Sequence, residues 1–362
     1  MHVIASLNGY GAEHFVVDLL PLLAASGADV AALTVYASGA RPGDDGGFPV
    51  FDAARARRMD LSFFPRMVRA MRGFRPDIVH THMHNGKYWG RLAALAAGVP
   101  HIVHTEHDPN FGGPSIERAA ASLLARRTSR FVAFSPGHRL RLAAAESIPL
   151  DKIAVIPNGI AFRPERPDAR ARGRQLLQTG AAERAVIMVG RLEHQKNHEL
   201  ALRAFARLPA PLLRATRLYV IGAGSLDGAL RTQVQDLGLA DRVSFLGFRA
   251  DALDLLSGAD VLVMTSHREA MPIALIEAMS IGVPAVSTPW QGADEMLEGG
   301  ALGYVASSFN PDTVSETLAR ALRDRPLAHS KADAARTKAL HEYDVHTAAR
   351  RHLNLYHSLV SA

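Results

Sequence analysis

Short apolar runs alternate with longer segments whose apolar positions recur at helical spacing, from one end of the chain to the other. In the first half the runs predict strands at 2–7, 29–36, 77–82, 101–106, 131–135 and 153–156. Helical patterns fill the intervals at about 12–26, 64–73, 86–97, 115–127 and 136–146. The alternation breaks at Ile156-Pro157-Asn158-Gly159-Ile160, a turn signal followed by Pro164, Pro167 and a charged stretch. It restarts with strands at 185–189, 217–221, 243–246, 260–264 and 284–288. Helices are expected near 197–207, 225–237, 250–257, 272–280 and 312–323. The segment 341–362 reads as one or two helices anchored by Tyr343, Leu353, Tyr356 and Leu359. Strands alternating with helices argue for parallel sheets covered by helices. A chain of 362 residues is too long for one ordinary core. The expected fold class is therefore α/β, with two doubly wound Rossmann-like domains facing across a cleft. The boundary falls at 163/164, giving domains 1–163 and 164–343. Ligands of such sheets sit at the C-terminal ends of the strands.

Composition narrows the class of protein. With 48% apolar and 21% charged residues the chain is that of a soluble globular protein. No run of about 18 apolar residues occurs, so no transmembrane helix is expected. The N-terminus starts directly on His2-Val3-Ile4-Ala5-Ser6-Leu7, without the basic and apolar regions of a signal segment. The absence of cysteine excludes disulfides, thiolate nucleophiles and cysteine-based zinc sites. A cytoplasmic location suits these features.

The net charge of +6 is unevenly placed. Residues 1–163 hold 18 Lys and Arg against 13 Asp and Glu, and residues 164–362 hold 23 against 22. Much of the excess lies in Arg55, Arg57, Arg58, Arg66, Arg69, Arg72 and Arg75. The same stretch carries Phe63, Phe64, Met67, Val68, Met71 and Phe74 at helical spacing. A basic amphipathic helix can lie on an anionic membrane surface. The favoured reading is simpler: a helix with its apolar stripe on the sheet and its arginines in water.

The chemistry concentrates in three places. In Glu269-Ala270-Met271-Pro272-Ile273-Ala274-Leu275-Ile276-Glu277, two carboxylates stand eight positions apart around the start of an apolar helix. Pro272 is expected at the first helical position, with Glu277 two turns into the helix. Backbone N–H groups around Ala270, Met271 and Ile273 then make the helix start attractive to phosphate. The rise from Pro272 to Glu277 is about 7–8 Å. That separation suits two acids holding different hydroxyl-bearing parts of a nucleotide-sugar on either side of its diphosphate.

In Val189-Gly190-Arg191-Leu192-Glu193-His194-Gln195-Lys196-Asn197, a buried strand ends and two cations follow five positions apart. Arg191 can fork onto phosphate oxygens and Lys196 can supply a point charge. A pyrophosphate leaving group needs such charges as its bond to sugar breaks. In Leu7-Asn8-Gly9-Tyr10-Gly11-Ala12-Glu13, a glycine turn follows the first strand, where phosphates approach. It is not a full dinucleotide fingerprint, and neither is Ile221-Gly222-Ala223-Gly224-Ser225, which can serve simply to let a helix pack closely.

Histidines form a fourth group: His80, His82, His84, His101, His104 and His107. Alternation along 80–84 is expected to turn His80, His82 and His84 to one face. Imidazoles can bind metal, but no carboxylate cluster completes a shell and no D-x-D occurs, so no metal is expected. His107 ends the fourth strand, at the edge where substrate would sit.

Taken together these residues resemble the family 4 glycosyltransferases of GT-B architecture. The likeness runs nearly end to end: the opening that ends Ala12-Glu13, Pro76-Asp77-Ile78-Val79-His80-Thr81-His82, Ile156-Pro157-Asn158-Gly159-Ile160, Gly190-Arg191 with Lys196, Val243-Ser244-Phe245-Leu246-Gly247, and the Glu269/Glu277 pair. The resemblance implies a retaining, metal-independent transfer of a sugar from a nucleotide-diphosphate donor to a hydroxyl, with no cofactor. A UDP-sugar is the favoured donor and a GDP-sugar the second. The acceptor would be a glycan or lipid-linked hydroxyl in bacterial cell-surface polysaccharide synthesis, with no nucleic-acid partner. By the family pattern, domain 1–163 is the acceptor side and 164–343 binds the donor, while helix 344–362 returns to the first domain. Arg191 and Lys196 would hold the diphosphate, Glu277 the ribose and Glu269 the donor sugar. Amides near Met271-Pro272-Ile273 would add to the phosphate site, and Gly9 and Gly11 would let the first loop close. The base would rest on Gly247-Phe248-Arg249, and His107 would lie beside the anomeric carbon. Two departures stand out: Tyr10 separates Gly9 from Gly11, and Ala270 stands where glycine is common. Other classes remain open at this stage: a nucleotide-sugar epimerase, a donor-binding subunit without activity and, more distantly, a nicotinamide oxidoreductase.

Overall fold

The computed structural model describes residues 1–7, 11–37, 47–57, 59–107, 115–164, 166–180 and 182–361. The chain divides into two compact units: Met1–Ala161 with Glu342–Ala362, and Phe162–His341. Among the described residues no helix is long and apolar enough to cross a membrane.

In the first unit seven strands form one sheet: β1 (His2–Ile4), β2 (Ala32–Thr34), β3 (Val50–Asp52), β4 (Ile78–His82), β5 (His101–Thr105), β6 (Arg130–Ala133) and β7 (Ile153–Val155). Their order is β3-β2-β1-β4-β5-β6-β7, and every pairing is parallel. Alternation within each strand sends its side chains to two cores. Val3, Val79 and Ile102 pack with Phe63, Met67 and Met71 of the helix Phe63–Phe74. On the other face Ile4 packs with Leu19, Leu20 and Leu23 of Ala12–Ala25 and with Ala348 and Ala349 of Val345–Val360. Tyr343 is buried, and Leu353, Tyr356 and Leu359 lie against this same face.

Gly159 fixes where that last helix starts. A Cβ there would stand 2.5 Å from the Cα of Val345, so only glycine permits the approach. Ile160 N–H donates to Tyr343 O at 2.8 Å, and Val345 N–H to Ile160 O at 3.1 Å.

In the second unit the sheet order is β10-β9-β8-β11-β12-β13, again all parallel. Its strands are β8 (Arg184–Val189), β9 (Thr216–Ile221), β10 (Val243–Gly247), β11 (Val261–Met264), β12 (Ala285–Ser287) and β13 (Tyr304–Val305). The direction of winding reverses at β8/β11 here and at β1/β4 in the first unit. Ligands of open parallel sheets sit outside the strand ends at such reversals.

Several elements differ from the sequence pattern. β3 and β13 are edge strands of three and two residues, too short to show a period. The helix Arg325–Glu342 buries only Ala328, Ala332, Ala335 and Ala339, a stripe too weakly apolar to stand out. Helix Ala169–Leu176 buries one glycine, Gly173. β4 stops at His82 because Met83 takes φ +58°, a left-handed conformation that turns the chain out of the sheet. The predicted helix 86–97 accordingly begins with a π turn, Gly86–Gly90, before Arg91–Ala97.

The apolar stripe of the basic stretch packs on the sheet, as the simpler reading requires. Phe63, Met67 and Met71 face the core. Arg66 is tied to Ala53 O at 2.7 Å and Arg55 lies 4.7 Å from the Phe63 ring centre, so both are structural. Arg57, Arg69, Arg72 and Arg75 are exposed, beside Met59 and Leu61 at 86% and 62% exposure. Arg58 lies outside the described residues.

Candidate active site

The loop after β8 carries both predicted cations. Gly190 N–H donates to Ile221 O at 2.9 Å and Leu192 N–H to Ala223 O at 3.0 Å, so the loop is bonded along its length to the turn after β9. The Glu193 carboxylate accepts from Ser225 N–H at 3.0 Å and from Ser225 Oγ at 2.8 Å, pinning the same two segments. This explains the Gly222-Ala223-Gly224 turn. A Cβ at Gly222 would stand 1.9 Å from Gly190 O, and one at Gly224 2.4 Å from Leu192 O. The close approach is to the Arg191 loop rather than to a helix.

Arg191 is exposed, and its guanidinium makes no hydrogen bond or ion pair among the described residues. Lys196 ends a 3₁₀ turn, His194–Lys196, that Asn197 closes with φ +50°. Its ammonium donates to Glu269 Oε1 at 2.6 Å. Ser266 Oγ donates to the same oxygen at 2.6 Å. Glu269 is buried, and the loop after β11 that bears it is fixed to the Lys196 turn. Thr265 Oγ1 donates to Asn197 O at 2.8 Å, His267 N–H to Gln195 O at 2.9 Å, and Gln195 Nε2 to Arg268 O at 3.1 Å. Strand ends β8 and β11 are the winding reversal of this sheet, so Arg191, Lys196 and Glu269 stand where the topology places a ligand.

The helix after Glu269 spans Ile273–Ser280, with Pro272 as its N-cap at ψ 118°. Pro272 was expected one position further in. Its extended ψ keeps it outside the helix, while its carbonyl takes the first bonds from Leu275 and Ile276 N–H. Glu277 is the fifth residue of the helix, about one turn in rather than two, because four residues separate it from Ile273 at 3.6 residues per turn. No side chain caps the helix start, which leaves the first N–H groups, Ile273 among them, for an anion. Met271 is buried and Ala270 half-buried beside them. Glu277 has no hydrogen-bond partner for its carboxyl among the described residues. Burial pushes that carboxyl up to about 7, with Arg163 pulling the other way. Gly247, at φ +66°, ends β10 and accepts from Gly222 N–H at 2.8 Å through its carbonyl. Phe248 follows it with 57% of its surface exposed.

The remaining predicted residues belong to the first unit. Gly9 lies outside the described residues, as does Tyr10. Gly11 precedes the helix Ala12–Ala25 with φ +65°, and its carbonyl accepts from Phe15 N–H at 3.0 Å. His107, expected to end its strand, lies half-buried two residues beyond β5 and shares a hydrogen bond of 3.1 Å between its Nε2 and His82 Nδ1. Burial drives it down to about 3, so the ring is neutral at ordinary pH.

The six histidines do not form one group. His80 and His82 share the buried face with His107, but His84 is exposed because the strand ends before it. His101 starts β5, and His104 points to the opposite face, 2.9 Å from Thr81 Oγ1. Sequence reasoning missed three partners on the buried face: His2, His352 and Tyr356. His2 stands directly across the sheet from His80, a register that local pattern does not reveal. His2, His80 and His82 each bring a ring nitrogen within 4.8 Å of the others. Those nitrogens are engaged in hydrogen bonds, and His80 and His82 stack with ring centres 4.3 Å apart instead of fanning around a point. That arrangement does not fit a metal shell.

Residues 10–162 match the model of Glycosyltransferase Family 4, and residues 174–338 that of Glycosyl transferases group 1. UDP-Gal:alpha-D-GlcNAc-diphosphoundecaprenol alpha-1,3-galactosyltransferase of Escherichia coli is 28% identical over 280 residues, 74% of this chain and 72% of that protein. D-inositol 3-phosphate glycosyltransferase of Mycolicibacterium gilvum is 26% identical over 276 residues, 71% of this chain and 61% of that protein. The crystal structure of Anabaena HepE in complex with UDP and glucose superposes with a TM-score of 0.86 at 23% identity, over 99% of this chain and 98% of that one. The epimerase alternative finds no support among these matches. Two parallel α/β units of this topology, one matched by each glycosyltransferase model, make the chain a glycosyltransferase of GT-B fold, akin to family 4 and group 1.

Proposed function

We propose that the protein transfers a sugar from a UDP-sugar to a hydroxyl of a glycan or lipid-linked acceptor, with retention and without a metal. One observation carries the reading. Arg191, the Lys196–Glu269 pair and an uncapped helix start are gathered at the winding reversal of one sheet. A diphosphate is the ligand that needs two cations and free amides together. Arg191, which makes no hydrogen bond or ion pair among the described residues, would close on it from outside. Lys196 would bridge the diphosphate to Glu269, whose carboxylate accepts from hydroxyls of the donor sugar. Glu277 would accept from the ribose hydroxyls, and the backbone at Gly247-Phe248 would meet the base.

In the transfer the glycosidic C–O bond to the phosphate breaks and a bond to the acceptor oxygen forms on the same face. The leaving phosphate oxygen takes the acceptor proton, so the products are a glycoside and a nucleoside diphosphate. Arg191 and Lys196 stabilise the charge that grows on that phosphate, the task a divalent cation performs elsewhere. In the first unit His107 is the proposed catalytic residue. The relative named for UDP-Gal and a diphosphoundecaprenol-linked sugar supports a UDP donor and a lipid-linked acceptor. The exposed Arg57, Arg69, Arg72 and Arg75 with Met59 and Leu61 suit the anionic surface on which such acceptors lie.

The test is an incubation of the protein, in chelator, with UDP-sugars and a lipid-diphosphate-linked sugar. An α-linked product from an α-donor is expected. Inversion of the anomeric centre, a strict need for metal, or donor hydrolysis with no transfer would overturn the respective parts of the reading.

A further inference from the structure

The buried face of the first sheet holds an unbroken file of hydrogen bonds. Thr105 Oγ1 lies 2.7 Å from His80 Nε2, and His80 Nδ1 lies 2.6 Å from the Tyr356 hydroxyl. That hydroxyl is 3.2 Å from His2 Nε2, and His2 Nδ1 is 3.0 Å from His82 Nε2. His82 Nδ1 completes the file at 3.1 Å from His107 Nε2. Three strands and the last helix contribute to it, and its members are as much as 354 positions apart in the chain. It starts at a buried hydroxyl and ends at a half-buried ring.

Burial holds His2, His80 and His82 well below the usual histidine range, and neighbouring rings add to the effect. A neutral imidazole has one N–H and one lone pair. When both nitrogens are engaged, a ring that accepts on one side must donate on the other. Each member therefore passes the direction of its bond to the next, and the file has only two proton arrangements. Thr105 decides between them. Thr105 is 1% exposed, and its hydroxyl has no other partner among the described residues. If His80 donated to it, the Thr105 proton would be buried with no acceptor, which is disfavoured. Thr105 instead donates to His80 Nε2. His80 then donates to Tyr356, Tyr356 to His2, His2 to His82, and His82 to Nε2 of His107.

We infer that Thr105, His80, Tyr356, His2 and His82 are positioning residues that fix His107 as its Nδ1–H tautomer, so that it meets substrate as a neutral hydrogen-bond donor and not as a base. The inference deepens the catalytic role proposed for His107 and rests on it. Tyr356 is the joint of the file, because it is the one member supplied by the last helix. Without its hydroxyl the bias set at Thr105 no longer reaches His107.

The experiment is ¹⁵N–¹H long-range correlation on histidine-labelled protein, wild type and Tyr356→Phe, beside steady-state kinetics. In wild type His107, His82, His2 and His80 are expected as Nδ1–H tautomers. In Tyr356→Phe, His107 is expected to show both tautomers, with kcat about 10-fold lower and KM for donor unchanged. An Nε2–H tautomer at His107 in wild type overturns the inference without any variant. An unchanged His107 spectrum in Tyr356→Phe also overturns it. Both readouts are independent of transfer, so a wild type that transfers no sugar refutes the proposed function and leaves the tautomer test standing.

Discussion

Lys196 and Glu269, 73 positions apart in sequence, are joined by a single bond of 2.6 Å from ammonium to carboxylate. Arg191, five positions before Lys196, has no such hydrogen-bonded partner among the described residues. The two cations therefore separate stability from function. Lys196→Ala leaves the buried Glu269 carboxylate with Ser266 alone among the described residues and is expected to cost about 1–3 kcal/mol of stability. Arg191→Ala is expected to cost under about 0.5 kcal/mol. Both are expected to lower turnover by about 10²–10³, the usual effect of removing one charge-stabilising contact. Urea unfolding and transfer kinetics on the two variants check this. In the double variant Lys196→Ala/Glu269→Gln, part of the stability is expected to return.

Glu277 links pH to both folding and binding. Its carboxyl stands at about 7 in the folded protein, against 4.5 ordinarily. Between those values the folded state binds more protons than the unfolded one, so this group lowers stability as pH rises from about 4.5 to 7. Glu277→Gln is expected to melt higher than wild type at pH 8 and equally near pH 4.5. If ribose hydroxyls donate to the carboxylate, nucleotide binding favours its ionised form. Affinity is then expected to fall below pH 7 in wild type and to lose that dependence in Glu277→Gln. Calorimetric titration across pH 5.5–8.5 reads both.

Much of this was open to inspection in the sequence, for physical reasons. Parallel strands are buried on both faces, so β8, β9 and β11 appear as continuous apolar runs that need no context. Arg191, Lys196 and Glu269 are conspicuous because charges directly after such runs stand at strand ends. What could not be read depends on register and exact backbone angle. Pro272 fits a first helical position and an N-cap equally well until its ψ is known. The Gly222 turn resembles a phosphate loop because both need a backbone without Cβ. His2 and Tyr356 join the His80 face through sheet register and a helix from the far end of the chain, so no local pattern foretells them. Helix Arg325–Glu342 was hidden because alanines alone form its buried stripe.

The first unit should fail first in acid. His2, His80, His82, His104, His107 and His352 are all held below the ordinary histidine value, burial being the leading cause. The unfolded chain binds their protons first, so stability is fully present above about pH 6.5 and is lost as pH falls. The two tryptophans report the units separately, Trp89 in the first and Trp290 in the second. Fluorescence of Trp290→Phe is expected to show unfolding at a higher pH than that of Trp89→Phe. Coincident transitions would contradict it.

The exposed arginines of the first unit give a prediction of the membrane proposal. Vesicles containing anionic lipid are expected to retain the protein at low salt and release it at high salt. Arg57→Glu/Arg69→Glu is expected to weaken retention at least about 10-fold, each basic residue near the surface contributing about 1 kcal/mol. Equal retention on neutral vesicles would remove charge from the account.

The site built from Arg191, Lys196, Glu269 and Glu277 is tested most directly by thermal melting with UDP, GDP, ADP and their common sugars. A ligand of the folded state raises the melting temperature by mass action. A uridine nucleotide is expected to stabilise wild type, and neither Arg191→Ala nor Lys196→Ala is expected to respond at the same concentration. An equal shift in wild type and both variants, or none in wild type at millimolar nucleotide, would contradict it.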